Sequence, residues 1–164
     1  MKVFLVTAGV CLLANSALAQ SALDSVMVGP WKIATTYEAD KFQNCTMSRS
    51  TPKMNVVLER NAEGLLLKLD SDDWKLERGR AYTVTLTAGS QAIDAKALAE
   101  TKSVTIALAD RSFNKRLRSA NHLDIKGETD LMEVPLDRSA EALNRLEQCF
   151  QKNVKHRSDS NPFE

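Results

Sequence analysis

The sequence predicts a mainly β protein, an antiparallel β-sandwich or open barrel with a short helix and a C-terminal helix tied down by one disulfide. Three observations carry that expectation. Apolar residues alternate at period two in several short runs, turn-forming residues separate those runs, and a helical period replaces the alternation only in two late segments. With 164 residues, 43% of them hydrophobic and 26% charged, the chain has material for one domain.

Residues 20–27 are small and weakly patterned and are expected to be a flexible segment; the domain itself is expected to span residues 28–152. Pro30 precedes Trp31-Lys32-Ile33-Ala34-Thr35-Thr36-Tyr37, whose rough alternation predicts the first strand. Asp40 to Asn44 read as a loop, Cys45 to Ser48 as a second strand, and Ser50-Thr51-Pro52-Lys53 as a turn broken by proline. The runs Asn55–Arg60 and Leu65–Leu69 flank Asn61-Ala62-Glu63-Gly64, where Asn and Gly tolerate the left-handed backbone of a hairpin loop. From Ala81 to Thr87, Tyr82, Val84 and Leu86 share one face and three threonines the other, which should be solvated. Gly89-Ser90 turns the chain into residues 91–97, and Ser103 to Leu108 supplies another alternating strand.

The period then changes. Asp110 is a suitable N-cap, and Phe113, Leu117 and Ala120 recur at i, i+4 and i+7, which predicts an amphipathic helix near residues 111–120. His122–Lys126 and Leu131–Leu136 make a terminal hairpin around Gly127-Glu128-Thr129-Asp130. Asp137 or Ser139 is expected to cap the last helix, which has Glu141 in its first turn and Ala142, Leu143, Leu146, Cys149 and Phe150 on its apolar stripe. Residues 153–164 carry no period and are expected to be a disordered tail.

The first nineteen residues, with Lys2, an apolar run from Val3 to Ala14 and Ala17-Leu18-Ala19, have the form of a secretory signal peptide cleaved before Gln20. The apolar run is shorter than the roughly 20 residues a spanning helix needs, so no transmembrane segment is expected after cleavage. Cleavage removes Lys2 and no acid, leaving a formally neutral chain. It also removes Cys11, so Cys45 and Cys149 remain as an even pair in an oxidising compartment and are expected to form a disulfide. That bridge would close a loop of about 100 residues, worth about 4.7 kcal/mol by chain entropy. Neither cysteine sits in a Cys-x-x-Cys motif, so the pair reads as a staple and not a redox centre.

Trp31-Lys32-Ile33 with Cys45-Thr46-Met47-Ser48-Arg49, and Leu136-Asp137-Arg138-Ser139-Ala140-Glu141-Ala142-Leu143, resemble the opening and closing segments of the invasion-associated locus B family of small exported alphaproteobacterial proteins. The resemblance implies an envelope or secreted binding-type β protein linked to host contact, and it brings no catalytic residue with it.

No constellation in the sequence announces a chemistry. His122 and His156 are the two histidines, and His122 reads as a surface histidine beside Asn121 and Asp124. No cofactor or metal is expected, because the histidines are far apart and the cysteines committed. Asp70-Ser71-Asp72-Asp73 concentrates acids but has Lys75 and Ala81 where a calcium loop needs Gly and Glu, so it reads as a turn. Carboxylate pairs drawn from Glu59, Glu63, Asp70 or Asp72 carry no specific signal. Arg111, Lys115, Arg116 and Arg118 form the basic cluster, suited to an acidic protein patch, a phosphate or a sulfated sugar, or else an ordinary solvated face. With 22 bases, 21 acids and no aromatic platform beside the cluster, nucleic acid is not an expected partner. The expectation is an exported, periplasmic or secreted, non-enzymatic protein-binding module, of host-contact or hydrolase-inhibitor type. The alternatives are a periplasmic small-molecule or lipid carrier, with Trp31, Trp74, Tyr82 and Met132 lining its pocket, and a small enzyme whose site is assembled from distant residues.

Overall fold

Period-two side chains and tight turns wind the first half of the domain into a meander. The computed structural model describes residues 25–158, with side chains through 155. Strands β1 (Ser25–Val28), β2 (Trp31–Glu38), β3 (Lys41–Ser50), β4 (Asn55–Arg60) and β5 (Leu65–Asp70) pair successively and antiparallel. Then come β6 (Ala81–Ala88), β7 (Gln91–Ala99), β8 (Ser103–Ala107), helix α1 (Arg111–Leu117), β9 (His122–Lys126), β10 (Leu131–Pro135) and helix α2 (Ser139–Ser158).

All ten strands form one antiparallel sheet in the order β1-β2-β3-β4-β5-β8-β7-β6-β9-β10. Two connections depart from the meander. Residues 71–80 cross from β5 to β6 along the ends of β7 and β8, held by backbone bonds from Ser71 N to Lys102 O (3.0 Å), Leu76 N to Thr101 O (2.9 Å) and Gly79 N to Ala99 O (2.8 Å). The β8 to β9 connection carries α1, which packs on β6 and β7.

The sheet rolls until its two ends approach. Arg49 Nη1 on β3 donates to Pro135 O at the end of edge strand β10 (2.6 Å), and Trp31 Nε1 on β2 donates to Asp137 O (2.9 Å). Among the described residues no ladder joins β1 to β10, so side chains close the seam of an open barrel. Inside lies one core cluster to which all ten strands contribute, with Trp31, Met47, Leu67, Leu86, Ile106, Leu123 and Ile125 all essentially inaccessible. Val84 and Leu86 point into it and Thr83, Thr85 and Thr87 away, as the alternation required.

Helix α2 packs on β2, β3 and β4 through Ala142, Leu143, Leu146 and Phe150. Cys149 bonds to Cys45 with a Cα–Cα distance of 6.2 Å across a sequence separation of 104, so the bridge joins the start of the fold to its last helix. The Asn61 turn also forms as expected: the Asn61 carboxamide oxygen accepts from the Glu63 and Gly64 N–H groups at 3.1 and 3.0 Å.

Several boundaries differ from the sequence expectation. Ser25–Val28 is a strand and not part of a flexible segment, because backbone pairing to β2 holds it while only Val28 is buried. Residues 40–44 were expected as a loop, yet β3 begins at Lys41, since Ala39 and Asp40, at φ 46° and 62°, complete a two-residue type I′ turn. The helix expected over 111–120 ends at Leu117, and a looser turn carries Ser119 and Ala120 back to Arg116 O. The last helix reaches Ser158, beyond the expected tail boundary at 153, because Asn153 bonds back to Cys149 O (2.8 Å) and receives the Tyr37 hydroxyl (2.7 Å). Neither Asp137 nor Ser139 caps α2 by a side-chain bond: Asp137 accepts from Arg49, and Ser139 Oγ donates to Leu117 O. The expected signal peptide, residues 1–19, lies outside the described residues, as do residues 20–24 and 159–164.

Candidate functional site

Helix α1 is built to hold its charges outward. The Asp110 carboxylate accepts from the Phe113 N–H (2.8 Å) and the Ser112 hydroxyl (2.7 Å), and these bonds hold its carboxyl below the usual range. Phe113 and Leu117, at i and i+4, fill the core, which turns Arg111, Lys115 and Arg116 to solvent. The pair Gln91 Nε2 to Ser112 Oγ (2.6 Å) fastens the helix to β7. Among the described residues, no carboxylate lies within ion-pair distance of Arg111, Lys115 or Arg116, and Lys115 and Arg116 occupy the last turn, where the helix dipole favours cations.

Arg118 behaves differently. It is half-buried and donates to Asn144 Oδ1 on α2 (2.5 Å), so it joins the two helices and leaves the α1 face. Its charge also reaches Glu147. There burial raises the carboxyl pKa, but hydrogen bonds from Gln151 and Arg60 and the charges of Arg60 and Arg118 outweigh burial and hold it below 4.5. The structure therefore keeps three members of the basic cluster together and diverts the fourth.

Arg118 lines a cleft of about 320 Å³ with Ser119, Asn121, Asp137, Arg138 and Ser139. Arg138 on its wall is committed to Glu141 (2.6 Å). Trp31, Trp74, Tyr82 and Met132 do not line this cleft: Trp31 is fully buried and the other three are half-buried against the core. Asp72 pairs with Lys102 (2.9 Å), whose hydrogen bond and charge lower its pKa, and Asp70 accepts from Asn55 (3.2 Å). Glu59 is buried and paired with Lys68 (2.5 Å). The Cys45–Cys149 bridge is packed, with Cys45 inaccessible and Thr35 Oγ1 3.3 Å from Cys149 Sγ, as suits a staple.

A role of Arg49 is invisible to sequence reasoning. Its guanidinium lies 5.2 Å from the Trp31 ring, bonds Pro135 O and pairs with Asp137 (3.2 Å), locking β2, β3 and the end of β10 together. Both terminal segments that carry the family resemblance thus meet at this one lock.

The fold has a known likeness. The chain is similar to the crystal structure of invasion associated protein B from Bartonella henselae. The match has a TM-score of 0.58 at 19% identity and covers 78% of this chain and 97% of that one. The resemblance read from the terminal segments therefore holds at the level of fold. No protein-family model matches the chain, and no curated protein matches it in sequence.

Proposed function

We propose that the chain is an exported, non-catalytic protein-binding module of the bacterial envelope, and that it engages an acidic surface of its partner through α1. The observation that carries this reading is the face of Arg111, Lys115 and Arg116, exposed and without counter-charges among the described residues, on a helix whose other face is anchored in the core. Side-chain charges on a solvated face are ordinary; three adjacent cations with no acid partner among the described residues leave a local field available to a ligand. The disulfide-tied barrel supports export, and the likeness to invasion associated protein B supports an envelope setting with host contact.

The test compares the exported, oxidised protein with its Arg111→Glu/Lys115→Glu/Arg116→Glu variant in affinity capture from periplasmic and host extracts. A reduced, unfolded sample serves as control. A stoichiometric, fold-dependent protein partner, weakened by salt and lost in the variant, is the expected result. Capture of no such partner, or equal capture by the folded variant, refutes the reading. The variant's helix should persist, since reversing Lys115 and Arg116 opposes the dipole by only about 0.3–1 kcal/mol each.

A further inference from the structure

The outer face of the terminal hairpin carries a second cluster, independent of α1. On β9, His122 and Asp124 stand two residues apart and so share a face. Across the ladder, Glu133 of β10 is the register partner of Asp124. One ligand atom from each of His122, Asp124 and Glu133 lies within 4.8 Å of the others.

Charge makes this arrangement unfavourable as it stands. Carboxylates directly opposite one another in an antiparallel pair repel. Among the described residues, no lysine or arginine lies within ion-pair distance of Asp124 or Glu133, although Lys126 shares their face of β9; the nearest partner is His122, with Nε2 3.6 Å from Asp124 Oδ2. On the other side Asp124 faces Thr87 of β6, a neutral register partner. A divalent cation between the three groups would relieve the repulsion and take both carboxylates as ligands.

We propose that His122, Asp124 and Glu133 form a binding site for one divalent transition-metal ion of the zinc or manganese type. An imidazole with two carboxylates suits these ions, whereas calcium and magnesium favour all-oxygen shells. Ligand atoms around tetrahedral zinc stand about 3.4 Å apart, given metal–ligand bonds of about 2.0–2.2 Å. The His122–Asp124 separation is already close to that, and exposed Glu133 needs only a side-chain rotation to close the set. The backbone beneath is fixed, because Leu123, Ile125 and Val134 on the opposite face are each 1% accessible. His122 and Glu133 are exposed, so water completes the coordination shell and leaves positions that a ligand atom from outside can take.

The experiment is isothermal titration of the untagged, exported, oxidised protein with zinc chloride, alongside His122→Ala, Glu133→Gln and His156→Ala variants. One ion per chain is expected, with affinity reduced about tenfold or more in the first two variants and unchanged in the third, which removes the chain's other histidine. Excess magnesium chloride should not displace the ion. Thermal melts in EDTA establish that each variant is folded. If a variant does not fold, the His122 ring resonances of the wild-type protein decide, and they should shift on zinc addition. Absence of saturable binding, wild-type affinity in folded His122→Ala and Glu133→Gln, or His122 resonances that do not respond overturns the site.

Discussion

Removing the Cys45–Cys149 bridge tests the central mechanical feature of the fold. The closed loop spans 104 residues, for which the chain-entropy model assigns about 4.7 kcal/mol and native disulfides in secreted domains return about 2–5 kcal/mol. Against a domain stability of about 5–15 kcal/mol this is a large share. The folded state should nevertheless keep α2 in place. Leu143, Leu146 and Phe150 are 4%, 2% and 7% accessible, and each such side chain contributes about 1.5–3 kcal/mol through burial. Cys45→Ala/Cys149→Ala is therefore expected to fold with native far-UV circular dichroism and to lose about 3–4 kcal/mol. With an m-value of about 1.5–2 kcal/mol/M, the urea midpoint drops by about 2 M. The fluorescence of Trp31, fully buried and bonded to Asp137 O, reports the transition. Because the bridge acts on the unfolded chain, the m-value should also rise as the unlinked chain expands. Reduction of the wild-type protein controls for the packing of the sulfur atoms. A loss below about 1 kcal/mol with an unchanged m-value would refute the entropic account.

Two further outcomes are expected from other parts of the molecule. Arg49→Ala should lower stability by about 2–3 kcal/mol in urea denaturation, since it leaves Pro135 O without its charged donor and removes the guanidinium that lies over the Trp31 ring. Asp137, 67% exposed at its side chain, adds little of this. Arg49→Lys should recover only part, because lysine lacks the planar fork, and a loss under about 0.5 kcal/mol in the alanine variant would show that the seam closes without Arg49. Stability against pH should carry a Glu147 component. Its carboxyl pKa is lowered in the folded state, so the contribution is complete above the ordinary value of 4.5 and disappears as pH falls through the depressed one. Glu147→Gln should flatten the acid limb of the stability profile, and an identical limb would show that the Arg60 and Gln151 contacts do not persist in solution.

Legibility followed the range of the interactions. Period-two alternation marked β2, β6 and β8, turn residues marked the β4–β5 hairpin and the entry to β7, and helical spacing marked α1 and the inner face of α2, because these signals lie within a few residues of one another. Cys45 and Cys149 were readable at long range for a different reason: covalent pairing of two thiols admits one solution. β1 was missed because Ser25-Val26-Met27-Val28 is too short to show a period and is held by backbone bonds to β2. Arg118 could not be separated from Arg111, Lys115 and Arg116 in sequence, since its diversion depends on Asn144 of α2 lying beside the end of α1.

By itself the sequence determined most of the elements and their buried faces, though not β1 or the start of β3, together with the Asn61 and Gly89 turns and the disulfide, all consequences of side-chain spacing, backbone sterics or bond chemistry. Tertiary structure alone decided the strand order β5-β8-β7-β6-β9, the Arg49 lock that closes the seam and the meeting of His122, Asp124 and Glu133. Each of these depends on which strand edges pair and in which register. Pairing is a competition among many alternatives of similar backbone energy, and it is settled only when the whole apolar face is buried at once.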